Sequence, residues 1–117
     1  MAGVVSRWLE RFSLEQQENA ELRGRTAAAG CSAIQDAPTR ERVDVHGVLQ
    51  DVTLRPVDDA TALEATLYDG TGTVTLIWLG RRRIEGIAAG RSLTAGGRIG
   101  HRGQERVMYN PAYRLDP

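Results

Sequence analysis

The stretch Tyr68-Asp69-Gly70-Thr71-Gly72-Thr73-Val74-Thr75-Leu76-Ile77-Trp78-Leu79-Gly80 constrains this chain more than any other. Asp-Gly-Thr-Gly is a tight-turn sequence. Apolar residues alternate with polar ones on both sides of it: Leu63, Ala65 and Leu67 before, Val74, Leu76 and Trp78 after. That pattern predicts a β-hairpin over residues 62–79. A glycine supplies positive φ where the turn demands it, and the Asp side chain can bond its own backbone. With the segments around it, the hairpin reads as the centre of a small five-stranded barrel.

The rest of residues 38–117 follows the same logic. Arg42 to Leu54 reads as a long first strand. Val43 and Val45 share one parity, Val52 and Leu54 the other, so an irregularity must lie between them. Gly47 is the natural place for a bulge or bend, which would let one strand serve both sides of a barrel. Arg55 to Thr61 reads as a loop carrying Asp58 and Asp59. After the hairpin, Ile84, Ile87 and Ala88 fall at helical spacing, and a short helix is predicted within Arg81–Arg91, ending at Gly90. Leu93, Ala95 and Ile99 share one face of a fourth strand. His101 to Gln104 is a turn, Glu105 to Tyr109 a fifth strand, and Ala112 to Pro117 a tail.

Residues 1–37 read as an N-terminal helical arm and linker. Val5, Trp8, Leu9 and Phe12 fall on one helical face, and Ser13-Leu14-Glu15-Gln16 has the capping-box form. The continuation to Arg23 is almost wholly polar, and such a helix needs outside support. Gly24 to Ala37 has no period and reads as linker. The apolar face of the arm either packs on the barrel or receives a protein partner or a second copy of the chain.

Mainly β, with a helix between the third and fourth strands, is the plan of the OB-fold, a five-stranded Greek-key barrel. The residues carry a closer likeness. Val43-Asp44-Val45-His46-Gly47-Val48, Ala65 to Gly72, Leu76-Ile77-Trp78 and Gly90 to Gly97 resemble nucleic-acid-binding OB domains of the anticodon-binding type. Together with Asn110-Pro111-Ala112-Tyr113, they are similar to the wedge domain of the RecG helicase. The resemblance spans residues 40–113 and implies an OB barrel that binds nucleic acid. No helicase motor is expected, because the chain has no GxxxxGK[ST] phosphate loop and no Lys to complete one.

A single-strand binder needs a basic groove and aromatic platforms. On strand parity, Glu64, Thr66 and Tyr68 face outward on the second strand, as do Thr73, Thr75 and Ile77 on the third. Tyr68 is the stacking candidate. Arg98 faces outward on the fourth strand, Arg102 sits in the last loop, and Arg106 starts the fifth strand. The guanidinium offers a donor fork for phosphate and a plane that stacks on bases. Thr66, Tyr68, Thr75, Arg98, Arg102 and Arg106 are therefore the candidate nucleic-acid residues. Trp78 is core or binding-face rim, a choice left open at this point. Arg81-Arg82-Arg83 reads as a solvated edge.

Formal net charge is zero, and Asp58 with Asp59 opposes phosphate, so weak, salt-sensitive, sequence-tolerant binding is expected, with DNA favoured. The alternative is a protein-interaction module working through Val5, Trp8, Leu9 and Phe12. No enzyme, metal or cofactor is expected: Cys31 stands alone, and no Cys/His pair has ligand spacing. The absence of a secretory signal and of a long apolar run favours a cytoplasmic protein.

Overall fold

The computed structural model describes residues 14, 16–25 and 30–117. The chain is mainly β. Its strands are β1 (Arg42–Val57), β2 (Ala60–Tyr68), β3 (Thr73–Leu79), β4 (Ser92–Arg98), β5 (Gly100–Arg102), β6 (Glu105–Tyr109) and β7 (Ala112–Leu115). They form one mixed sheet in the order β5-β6-β3-β2-β1-β4-β7. All neighbours run antiparallel except β3 and β6, which are parallel. In place of the expected five-stranded closed barrel there are seven strands in one sheet whose order is open, from β5 at one edge to β7 at the other. The predicted fourth strand is divided at Ile99 into β4 and β5, and the predicted tail pairs with β4 as β7.

The central hairpin forms as its sequence demands. Asp69 is fully buried at the turn. Its Oδ1 accepts hydrogen bonds from Thr71 N (2.8 Å), Thr71 Oγ1 (2.6 Å) and Gly72 N (3.1 Å). Gly70 takes φ +89°, which only glycine adopts cheaply. The other carboxylate oxygen, Oδ2, accepts from Ile34 N at 2.8 Å. That bond anchors a short 3-10 turn, Ile34–Asp36, against the hairpin. The segment that reads as linker therefore puts Ile34, with no exposed surface, into the core.

β1 serves two neighbours. Arg42 to Val48 pairs with β4, and Val48 to Val57 pairs with β2. The parity change falls at Gln50, where the register with β2 shifts between Leu49 and Asp51, not at Gly47. Gly47 instead permits a close backbone approach, since the Tyr68 carbonyl lies where its Cβ would stand. Val43, Val45, Leu49, Leu67, Leu76, Leu93, Ala95 and Met108 make the inner core. Trp78 closes one end of it. Its indole Nε1 donates to the Pro111 carbonyl at 3.1 Å, and its ring meets Tyr113 edge-on at 5.9 Å.

Two further expectations are corrected. Arg55 to Thr61 is not a loop: β1 and β2 run on to a two-residue turn at Asp58–Asp59, with Asp58 at φ 53°. Residues 81–91 form no helix. They make two separate turns, closed by Ile87 N to Ile84 O and Arg91 N to Ala88 O. Gly86, inside the first turn at φ +76°, lies outside right-handed helical space, so the helical spacing of Ile84, Ile87 and Ala88 cannot propagate.

Candidate nucleic-acid interface

The six sequence-predicted residues fall in three places. Thr66, Thr75 and Arg102 belong to a polar belt across the outward face of β1, β2, β3, β6 and β5. The Arg102 guanidinium lies 3.0 Å from both oxygens of Glu64 and donates to Glu105 Oε2 at 3.1 Å. Arg55 Nε approaches Glu64 Oε1 at 3.6 Å. The Thr75 hydroxyl donates to Glu105, and Thr66 is the cross-strand neighbour of Thr75. Parity predicts an exposed Glu64, yet only 5% of it reaches solvent. The neighbouring side chains of the belt close over it, and Ile77, also outward by parity, is buried with Ala62 and Val107 in a second small cluster.

The belt is electrically self-contained: two arginines face two glutamates. Glu64 foremost, then Glu105, raises the Arg102 pKa above its ordinary value. The Thr75 hydroxyl and then Arg102 hold the Glu105 carboxyl below the usual range, against the opposing effect of burial. Guanidinium donors committed in this way are not available to phosphate.

Tyr68 and Arg106 sit at the hairpin end. Residues 16–25 are helical and lie over this end. The Tyr68 hydroxyl donates to Asn19 Oδ1 at 3.0 Å, and a Cβ at Gly70 would stand 2.8 Å from the Asn19 carbonyl oxygen. Arg106 donates to the Gln35 carbonyl at 3.2 Å. Val5, Trp8, Leu9 and Phe12, the residues of the protein-interaction alternative, lie outside the described residues.

Arg98 is different. It lies directly opposite Arg42 across the β4–β1 pair. Arg40 completes a triad, its carbonyl accepting from Arg98 Nη1 at 3.0 Å. These three arginines and Tyr109 line an open groove with Gly96, Gly97, Gly100 and Ala112, and the Asp44 carboxylate stands at its edge over Gly96. None of the three makes an ion pair among the described residues. Tyr109 is 52% exposed.

This groove carries two local costs. Like charges directly opposite on a strand pair destabilise it, by roughly 0.2–1 kcal/mol. Arg40 holds φ 70°, a conformation costing a non-glycine residue about 1 kcal/mol or more. An anion in the groove would offset the first. Arg40, Arg42 and Tyr109 are residues that sequence reasoning missed. The available signal was Arg42 on the same outward parity as Asp44, with the partner strand unknown. Comparison of the chain with protein-family models and with curated proteins finds no match to either.

Proposed function

We propose that this chain is a non-enzymatic, sequence-tolerant binder of single-stranded nucleic acid built on an OB-type barrel. Support for the barrel comes from connectivity. β4 and β5 are separated by Ile99 alone, yet β4 pairs with β1 and β5 pairs with β6. The run Ser92–Arg102 thus joins both ends of the six-strand order β5-β6-β3-β2-β1-β4, with β7 added outside. The parallel pairing of β3 with β6 is in keeping with an OB-type connectivity.

The observation that carries the binding reading is the groove of Arg40, Arg42, Arg98 and Tyr109, basic and aromatic, in which none of the three arginines makes an ion pair among the described residues. The arginines neutralise phosphates and Tyr109 stacks a base, a combination tolerant of sequence because every base has a π-face. Three phosphates give a slope of log K against log salt near −2, from roughly 0.7 per phosphate on single strands.

The test is titration of fluorescent single-stranded DNA and RNA at low salt. Arg42→Ala with Arg98→Ala should flatten the slope by about 1.4. Tyr109→Ala should cost about 1–3 kcal/mol. Absence of binding at high micromolar protein, or binding indifferent to all three substitutions, overturns the reading.

A further inference from the structure

Resting on that reading, we infer that the binding surface is a continuous track that leaves the Arg98–Tyr109 groove, turns the corner at Pro111–Ala112 and continues along Arg81 and Arg83, so that its ligand is a single strand spanning both parts. The motivating geometry is a second open groove lined by Trp78, Arg81, Arg83, Glu85, Pro111 and Tyr113. It shares Ala112 with the first. A third, shorter groove shares Arg42, Gly96 and Ala112 with the first and adds Arg114. The residues lining the three grooves include six arginines, Arg40, Arg42, Arg98, Arg114, Arg81 and Arg83, and two carboxylates, Asp44 and Glu85.

The path changes sides of the sheet. Gly96 and Ala112 pair on the outward face, whereas Trp78 and Tyr113 belong to the opposite parity and pack on the core. Asn110, at φ 49°, and Pro111 make the corner between them. The corner is rigid, since Asn110 N donates to Ile77 O at 2.6 Å and Asn110 Oδ1 accepts from Leu79 N at 3.0 Å. A duplex, with a persistence length of about 150 base pairs, pays a bending energy to follow such a turn. A single strand follows it freely. Tyr113, half-buried and packed edge-on against the buried Trp78, offers an aromatic edge at the second groove, beside two exposed arginines.

The experiment compares oligothymidylates of about 4 and about 15 nucleotides, within the range of OB-fold site sizes. It adds a duplex of the longer length, and uses the full chain and its Arg81→Ala/Arg83→Ala variant. The longer strand should bind more tightly than the shorter one, with a slope steeper by about 1.4. Two phosphates at about 0.7 each make the advantage shrink roughly sevenfold between 50 and 200 mM salt. The variant should lose that extra slope while binding the short strand as before. Both substituted residues are exposed, and an unchanged melting curve verifies that the variant is folded. Equal affinity for both lengths, an extra slope that survives in the variant, or a duplex that binds as tightly as the strand overturns the track and leaves the Arg42–Arg98 groove standing. Failure of every oligonucleotide to bind, or binding indifferent to Arg42→Ala with Arg98→Ala, overturns the groove and the track together.

Discussion

Replacing Arg102 by Met removes the centre of the polar belt. Glu64, 5% exposed, loses both bonds at 3.0 Å to the guanidinium, and Glu105 loses its partner at 3.1 Å. Breaking a buried pair from one side costs about 3–5 kcal/mol, because the other charge is left uncompensated. Two facts reduce that here. The Arg102 side chain is 36% exposed, so water already screens part of the pair. Arg55 also remains, 3.6 Å from Glu64. The expected loss is about 2–3 kcal/mol, or roughly 10–20 °C in melting temperature for a domain of this size. Thermal unfolding followed by circular dichroism measures it. The double variant Arg102→Met/Glu64→Gln should recover most of the loss, since no buried carboxylate is stranded, and a double-mutant cycle isolates that coupling. Meanwhile the salt slope for single-stranded DNA should stay unchanged, because these donors face glutamates and not the groove. A single variant melting within 2 °C of the parent (against the roughly 10 °C minimum expected), or a double variant no better than the single, refutes the reasoning. So would a slope flattened by about 0.7, which would return Arg102 to the binding surface.

Asp69→Ala strands the Ile34, Thr71 and Gly72 N–H groups that the carboxylate accepts from, and should cost about 3 kcal/mol, read as a lower urea midpoint. Gly47→Ala drives a Cβ into the Tyr68 carbonyl, where the obstacle is backbone and cannot rotate away. A loss of at least about 2 kcal/mol is expected, and wild-type stability would show that β1 and β2 can part locally. The depressed Glu105 pKa gives a stabilising contribution that is full above the unfolded value of about 4.3 and lost as pH falls through the lower folded value. The parent's urea midpoint should therefore drop more steeply with acid than that of Glu105→Gln, and parallel pH profiles would contradict this. Tyr68→Phe removes the bond to Asn19 and should leave oligonucleotide affinity unchanged; a clear weakening would place the hairpin end in the binding surface.

The local chemistry of the chain was legible in its residues. Asp69-Gly70-Thr71-Gly72 specifies its own turn, because its hydrogen bonds span at most three residues and need no partner elsewhere. The two-residue alternation of Leu63, Ala65, Leu67, Val74, Leu76 and Trp78 fixes which side meets the core, and all six are buried. The parity switch along β1 announced an irregularity, though its place at Gln50 depends on how β2 aligns. Helical spacing over Ile84–Ala88 misled, since one glycine at positive φ outweighs three well-placed apolar residues. Parity says which way a side chain points and not what covers it, so Glu64, Thr75 and Ile77 point outward and are nonetheless buried. Above all, the sequence supplied a stock of arginines without saying which face carboxylates and which do not. Arg102 meets Glu64 across 38 positions, and Arg98 meets the Arg40 carbonyl across 58. Long-range strand pairing made both meetings. Coulomb attraction falls with distance in space and takes no account of distance along the chain, so only the tertiary structure could separate the arginines that face carboxylates from those that make no ion pair among the described residues.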